Sequence, residues 1–393
     1  MDANRHDPTG RQALAADRIF DGHRWHSQAA VLMRDGRIAA LSPWGEVPPD
    51  WPRTRLPAGI FLAPGFIDLQ VNGGGGVLLN ERPTGEAMHA IARAHRRYGT
   101  TGCLPTLITD TREQVKAAIA AARSIAGRDG IIGLHLEGPF ISPRRPGVHR
   151  PDRVRIPGPG DLEELCEAAA AGLSMVTLAP ECVPAGFVRT LASSGVRVSI
   201  GHSEASAAVA MQAIEDGAIG VTHLFNAMPP LSARDPGIIG ATLADKRLTA
   251  GLIVDAIHVD PISVRAAFAA KGAEGIALIT DAMPTVGASL DHFDLLGRTI
   301  TLADGRLTTE AGTLAGAHLD MASAVRNAVR LAQVPLEDAL RAASLTPARF
   351  LGLDNERGRL VAGARADLVA LTQDLSVHAT WVAAIADESE SRQ

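Results

Sequence analysis

Eight short apolar runs recur along the middle of this chain, each followed by a polar or Gly/Pro loop and then by an Ala-rich stretch with helical spacing. The runs are "FLAPGFIDLQV", "GCLPTLIT", "IIGLHLEGP", "SMVTLAPE", "VRVSIGHS", "IGVTHLFNAMP", "LTAGLIVDAIHV" and "GIALITDAMP". Strands that are apolar on both faces cannot border water, so they belong in a parallel sheet covered by helices. Several intervening stretches, such as "TREQVKAAIAAARSIAG" and "DLEELCEAAAAG", open on Thr or Asp and close on Gly, the start and stop signals of helices. Eight such units predict an α/β fold, a (β/α)8 TIM-like barrel. The flanks read differently, as short strands with turns: "AAVLMRDGRIAALSPWG" near the N-terminus, with a hairpin signal at "RDGR", and "GRLVAGARADLVALTQDLSVHATWVAAI" near the C-terminus. Chain termini often lie close together, so these ends are expected to form one small β-sandwich domain. The expected organisation is residues 1–61 and 352–393 in that domain, with residues 62–351 as the barrel.

Bulk properties narrow the function. The chain has 393 residues, 46% of them hydrophobic, and a formal net charge of −5. No Lys/Arg block offers a footprint for nucleic acid, and no apolar run reaches membrane-spanning length. The N-terminal residues lack the apolar core of a signal peptide, so the expectation is a soluble, cytoplasmic protein. Cys103, Cys166 and Cys182 are scattered without a C-x-x-C pair, which argues for buried free thiols. The final "DESESRQ" reads as a frayed tail.

A barrel places its active site at the C-terminal ends of the strands. There stand Glu137 in "HLEGP", His202 in "SIGHS", His223 in "VTHLFNAM" and Asp281 in "LITDAMP". Any one of these is an ordinary strand-end polar residue; four together point to chemistry. One carboxylate and two imidazoles are a catalytic zinc set with an open position for water, which leaves Asp281 as general acid and base. His149 and His258 lie in loops after strands three and seven. By strand alternation His135 faces inward with Glu137, and His95, on a helix, is expected at the surface.

The run "GFIDLQVNGGGG" invites a rival reading as a phosphate loop. A G-x-G-x-x-G begun at Gly73 meets Leu78, and one begun at Gly74 meets Leu79; no helix follows. It therefore reads as the first barrel strand, with Gln70 and Asn72 at its mouth.

These segments, together with "GHSEAS", "DPGIIGA", "VDAIHVD" and "GTLAG", resemble the N-acetylglucosamine-6-phosphate deacetylases, a branch of the amidohydrolase superfamily, in order along nearly the whole chain. The resemblance implies metal-dependent hydrolysis of the acetyl amide of N-acetyl-D-glucosamine 6-phosphate, and a homodimer or homotetramer. It implies metal binding by Glu137, His202 and His223, acid/base catalysis by Asp281, and contact of His149 with the acetyl carbonyl. Asn226 and Ala227 would meet the sugar phosphate, with Arg234 and His258 as cationic partners and Arg234 reaching across a subunit boundary. Leu314, from "GTLAG", would line the sugar site. Ala317 and His318 depart from the small hydroxyl residues that commonly follow in that loop.

Many amidohydrolases carry His-x-His on strand one and a bridging lysine on strand four. Here Gln70 and Asn72 replace the former, and Lys116, Lys246 and Lys271, the chain's three lysines, lie away from the strand ends. One divalent metal per subunit is expected, Zn2+ by ligand type, with Fe2+, Co2+ or Mn2+ as alternatives. Gln70 and Asn72 would shape the pocket by hydrogen bonds. Two rival functions stay open: the same chemistry on another N-acyl hexosamine phosphate such as N-acetylgalactosamine 6-phosphate, and a non-catalytic sugar-phosphate-binding protein.

Overall fold

The computed structural model describes residues 10–387; of the expected tail at 387–393, Asp387 donates its N–H to Thr380 O at 2.8 Å and residues 388–393 lie outside the described residues. Eight parallel strands form the central sheet: β1 (Phe66–Val71), β2 (Thr100–Ile108), β3 (Leu134–Glu137), β4 (Leu173–Leu178), β5 (Arg197–Ile200), β6 (Gly220–Val221), β7 (Thr249–Ile253) and β8 (Ile276–Ile279). They lie side by side in chain order. Just past β8 the ring closes: Asp281 N donates to Gln70 O at 3.0 Å and Asn72 N to Ala282 O at 2.9 Å. Every residue of β1 and β2 is buried, as strands covered by helices must be.

One helix follows each strand: α1 (Gly85–Arg96), α2 (Arg112–Ile125), α3 (Asp161–Ala169), α4 (Phe187–Ser193), α5 (Ala207–Glu215), α6 (Gly237–Ala244), α7 (Pro261–Lys271) and α8 (Met321–Arg330). Their starts follow from side-chain caps. Thr84, Thr111, Ser206, Asp260 and Asp320 each accept from a backbone N–H in the first turn, satisfying donors that a helix leaves open.

The termini share a second sheet. Strands Arg11–Phe20, Trp25–Arg34, Arg37–Pro43, Arg53–Arg55 and Phe61–Pro64 pair in it with Leu368–Leu371, Val377–Val382 and Ile385–Ala386. Phe61–Pro64 is the link, antiparallel to Leu368–Leu371 and parallel to Arg11–Phe20. This sheet therefore runs past residue 61, to Pro64. At the "RDGR" hairpin Asp35 and Gly36 both have positive φ, 51° and 75°, as a two-residue turn needs.

Three features depart from the sequence reading. His95 is fully buried on the inner face of α1, and its Nε2 lies 2.9 Å from the Gly73 carbonyl. The glycine run makes room for it: a Cβ on Gly74 would stand 2.8 Å from His95 Nε2. Of the cysteines only Cys103 is buried; Cys166 and Cys182 are half-buried. Between β8 and α8 a three-stranded antiparallel sheet, His292–Leu295, Arg298–Ala303 and Arg306–Thr309, packs Leu295, Ile300 and Leu307 against Leu78, Ile108 and Met283. Its turns, Leu296-Gly297 and Asp304-Gly305, have positive φ at both central residues.

Candidate active site

All four strand-end residues meet at one mouth of the barrel. Glu137 is the last residue of β3, and His202, His223 and Asp281 each lie two residues past β5, β6 and β8. At those three positions, and at Phe225 and Ala227, the backbone has left the strand for the left-handed region, with φ of 48°, 34°, 51°, 80° and 51°. Such backbone is costly for residues with a Cβ and collects where function demands it. It also explains why β6 is only two residues long, although its apolar run continues to "FNAMP".

Three ligand-type atoms converge. Glu137 Oε1 lies 3.1 Å from His202 Nε2 and 2.9 Å from His223 Nε2, and the two nitrogens are 3.0 Å apart. All three residues are buried. Burial pushes the Glu137 carboxyl up, but its bonds to His202 and His223 overcome this and hold it well below the usual carboxylate range. The His223 imidazole is raised, since the bond to Glu137 outweighs the opposing effect of burial. His202 Nδ1 lies 2.8 Å from the Arg145 carbonyl, which only accepts, so that nitrogen carries the proton and Nε2 keeps its lone pair. A lone pair there faces the Glu137 carboxylate oxygen at 3.1 Å, a repulsion that either a proton or a metal ion between the two atoms relieves. The set thus fits a metal ion, whose ligand atoms stand about 2.0–2.2 Å away. A third histidine is within reach: ligand atoms of Glu137, His149 and His202 all lie within 4.8 Å of one another.

Asp281 is held from β1. Asn72 Nδ2 donates to its Oδ1 at 2.6 Å and Gln70 Nε2 at 3.0 Å. Burial, then the charge of Glu137, pushes the Asp281 carboxyl up to about 6. The neutral amides that replace His-x-His thus orient an acid/base carboxyl with N–H donors. Their own carbonyl oxygens, Gln70 Oε1 and Asn72 Oδ1, have no hydrogen-bond partner among the described residues.

These groups line a cavity of about 220 Å³, whose wall contains Asn72, Glu137, His149, His202, His223, Asn226, Ala227, His258, Asp281 and Leu314. His149 is buried, with Nδ1 2.7 Å from Thr109 Oγ1. Burial, then the charge of His202, pushes its imidazole down to about 3. His258 Nδ1 is 2.6 Å from Asp255 Oδ2. Gln70 is not part of the cavity wall and acts on the site through Asp281. Arg234 stands exposed in the loop at residues 231–236, outside the cavity of its own chain. His135, as its alternation with Glu137 implies, faces the barrel interior, bonded to Thr177 Oγ1 at 2.8 Å, and burial pushes it down to about 4. His318 leans on Thr285 Oγ1 at 2.9 Å. Sequence reasoning missed Thr109 and Asp255. Thr109 stands one residue past β2, where the strand-end rule would have found it, and Asp255 precedes His258 by three residues in the loop between β7 and α7.

Residues 61–386 match the model of the amidohydrolase family. The chain belongs to that family. This amidohydrolase is 41% identical to the N-acetylgalactosamine-6-phosphate deacetylase of Shewanella sp. (strain ANA-3), over 90% of each chain. It is 35% identical to the N-acetylglucosamine-6-phosphate deacetylase of Haemophilus influenzae, over 90% of this chain and 93% of that one. The crystal structure of N-acetylglucosamine-6-phosphate deacetylase from Pasteurella multocida superposes with a TM-score of 0.92 at 35% identity, covering 96% of this amidohydrolase and 99% of that chain. The barrel with its terminal β-domain is thus the architecture of the family. No helix among the described residues is long and apolar enough to cross a membrane.

Proposed function

We propose that this amidohydrolase removes the acetyl group from N-acetyl-D-glucosamine 6-phosphate, giving D-glucosamine 6-phosphate and acetate. One divalent ion, Zn2+ by ligand type, is held by Glu137, His202 and His223. The observation that carries the reading is the convergence of those three ligand atoms beside a buried carboxyl at one cavity. The named relatives support the substrate class.

A divalent cation in that set supplies charge that polarises the amide carbonyl and makes water more acidic. Asp281, pushed up to about 6 and aimed by Asn72 and Gln70, takes a proton from the attacking water. It then delivers that proton to the departing nitrogen, as a group with proton affinity near neutrality can do in both directions. His149, neutral at ordinary pH, donates an N–H to the carbonyl oxygen as charge develops there. His258, oriented by Asp255, and Asn226 with the backbone at Ala227 hold the phosphate and so position the amide. Arg234, outside its own cavity, serves the phosphate of a neighbouring subunit in a homodimer or homotetramer. The unit that does this is the barrel, from β1 at Phe66 to residue 351, in a cytoplasmic protein.

A second reading is favoured by one observation. The relative at 41% identity acts, by its name, on the galacto epimer, which makes N-acetylgalactosamine 6-phosphate the alternative substrate. Acetate release from each epimer, with and without the phosphate, before and after chelation, and with metal quantified in the same sample, tests both. The expected result is chelator-sensitive release from the gluco epimer at one metal per chain. Release unaffected by complete metal removal, or none from either phosphate, refutes the proposal, and two equivalents in an active preparation refute the single-metal site.

A further inference from the structure

Two histidines beside the same carboxylate receive opposite instructions from their neighbours. The rings of His149 and His202 have centroids 4.4 Å apart, and either offers Glu137 a ligand atom. What separates them is the partner on Nδ1. For His202 it is the Arg145 carbonyl, an acceptor only, so the proton sits on Nδ1 and Nε2 is a free lone pair. For His149 it is the Thr109 hydroxyl, 2.7 Å away, which has a single proton to give. The other acceptor in reach of that proton is the Glu137 carbonyl at 3.3 Å, outside the usual span of about 2.5–3.0 Å for an O–H···O bond. The proton therefore goes to His149 Nδ1. A neutral imidazole with its Nδ1 lone pair so engaged carries its own proton on Nε2.

The slot for this hydroxyl is built into the backbone. Gly138 has φ of 89°, and a Cβ there would lie 2.2 Å from Thr109 Oγ1. Thr109 and His149 are both buried, so water does not compete for the bond.

We infer that Thr109 is a positioning residue that fixes His149 as an Nε2–H donor and so excludes it from the metal set, while the Arg145 carbonyl makes His202 a ligand. The inference deepens the proposed function and rests on its assignment of His149 to the carbonyl. It decides between His223 and His149 as the imidazole that joins Glu137 and His202, and it assigns the threonine after β2 a role in the reaction.

The test is nitrogen NMR of the metal-loaded enzyme labelled with 15N-histidine, assigned through His149→Gln and His202→Gln, with kinetics and metal content of Thr109→Val and Thr109→Ser. In the wild type His149 is expected to carry its proton on Nε2 and His202 on Nδ1. Thr109→Val, which keeps the shape and loses the hydroxyl, is expected to lower kcat by about tenfold to a hundredfold, less than loss of a whole oxyanion donor. KM and the one equivalent of metal stay unchanged, and Thr109→Ser restores kcat. A proton on His149 Nδ1 in the wild type, or loss of metal on Thr109→Val, overturns the inference, as does an unchanged kcat in that variant. The tautomer measurement needs no substrate, so it still decides the matter if the wild type proves inactive on both hexosamine phosphates, which would sink the proposed function instead.

Discussion

Asp68 offers a test of how the barrel closes behind the site. It is fully buried on β1 and takes hydrogen bonds from Thr280 Oγ1 at 2.5 Å, Thr280 N at 3.2 Å and Gln70 N at 3.2 Å. Those bonds tie β1 to the residue before Asp281. Burial nevertheless dominates and pushes its carboxyl up, from 3.8 to about 7. A group raised in the folded state contributes stability that is complete below its unfolded value and is lost as pH rises through the folded one. That rise corresponds to about 4 kcal/mol, at about 1.36 kcal/mol per tenfold change in proton affinity. More than half of it develops between about pH 5 and about pH 8. Asp68→Asn keeps the shape and the acceptor oxygen but cannot ionise, and Thr280 Oγ1 can reverse to accept from the new amide. The variant is therefore expected to gain on the wild type by about 2–3 kcal/mol between those two pH values, read as the change in urea midpoint difference. A difference between the two proteins that stays constant across that range would refute the reasoning.

Asn72→Ala removes the shorter of two donors to Asp281, and kcat is expected to fall by about tenfold or more with little change in metal content, checked by acetate release and metal analysis. Gly74→Ala drives a Cβ to 2.8 Å from His95 Nε2 and strains the bond to Gly73. The expected cost is about 2–4 kcal/mol, seen as a lower thermal midpoint. Asp161 takes bonds from Arg112 and Arg155 and thereby anchors the loop that carries His149. Asp161→Ala should raise KM several-fold more than it lowers kcat, and greater protease sensitivity confined to residues 142–160 is the physical check.

Much of the barrel was legible because its cause is local. Apolar runs at strand length, caps such as Thr111 and Asp260, and terminal glycines are written in neighbouring residues. The site was legible at one remove, since strand ends are where a barrel concentrates polar groups, and Glu137, His202, His223 and Asp281 do converge. His95 was misplaced because a helix pattern with alternating Ala and polar residues does not say which polar residue turns inward. That was decided by the space over Gly73 and Gly74, a contact between segments distant in sequence. The sheet at residues 292–309 went unread although its Leu-Gly and Asp-Gly turns carried the signal.

Sequence alone determined the alternation of strand and helix, the shared β-domain of the two ends, and the residue types offered to the site. Pattern and residue chemistry act over a few positions, so they are readable there. Tertiary structure alone decided that Gln70 and Asn72 spend their N–H groups on Asp281, and that Arg145 and Thr109 orient two neighbouring imidazoles in opposite senses. A hydrogen bond has direction and a reach of about 3 Å. Which donor faces which acceptor is therefore set only when strands far apart in sequence stand side by side.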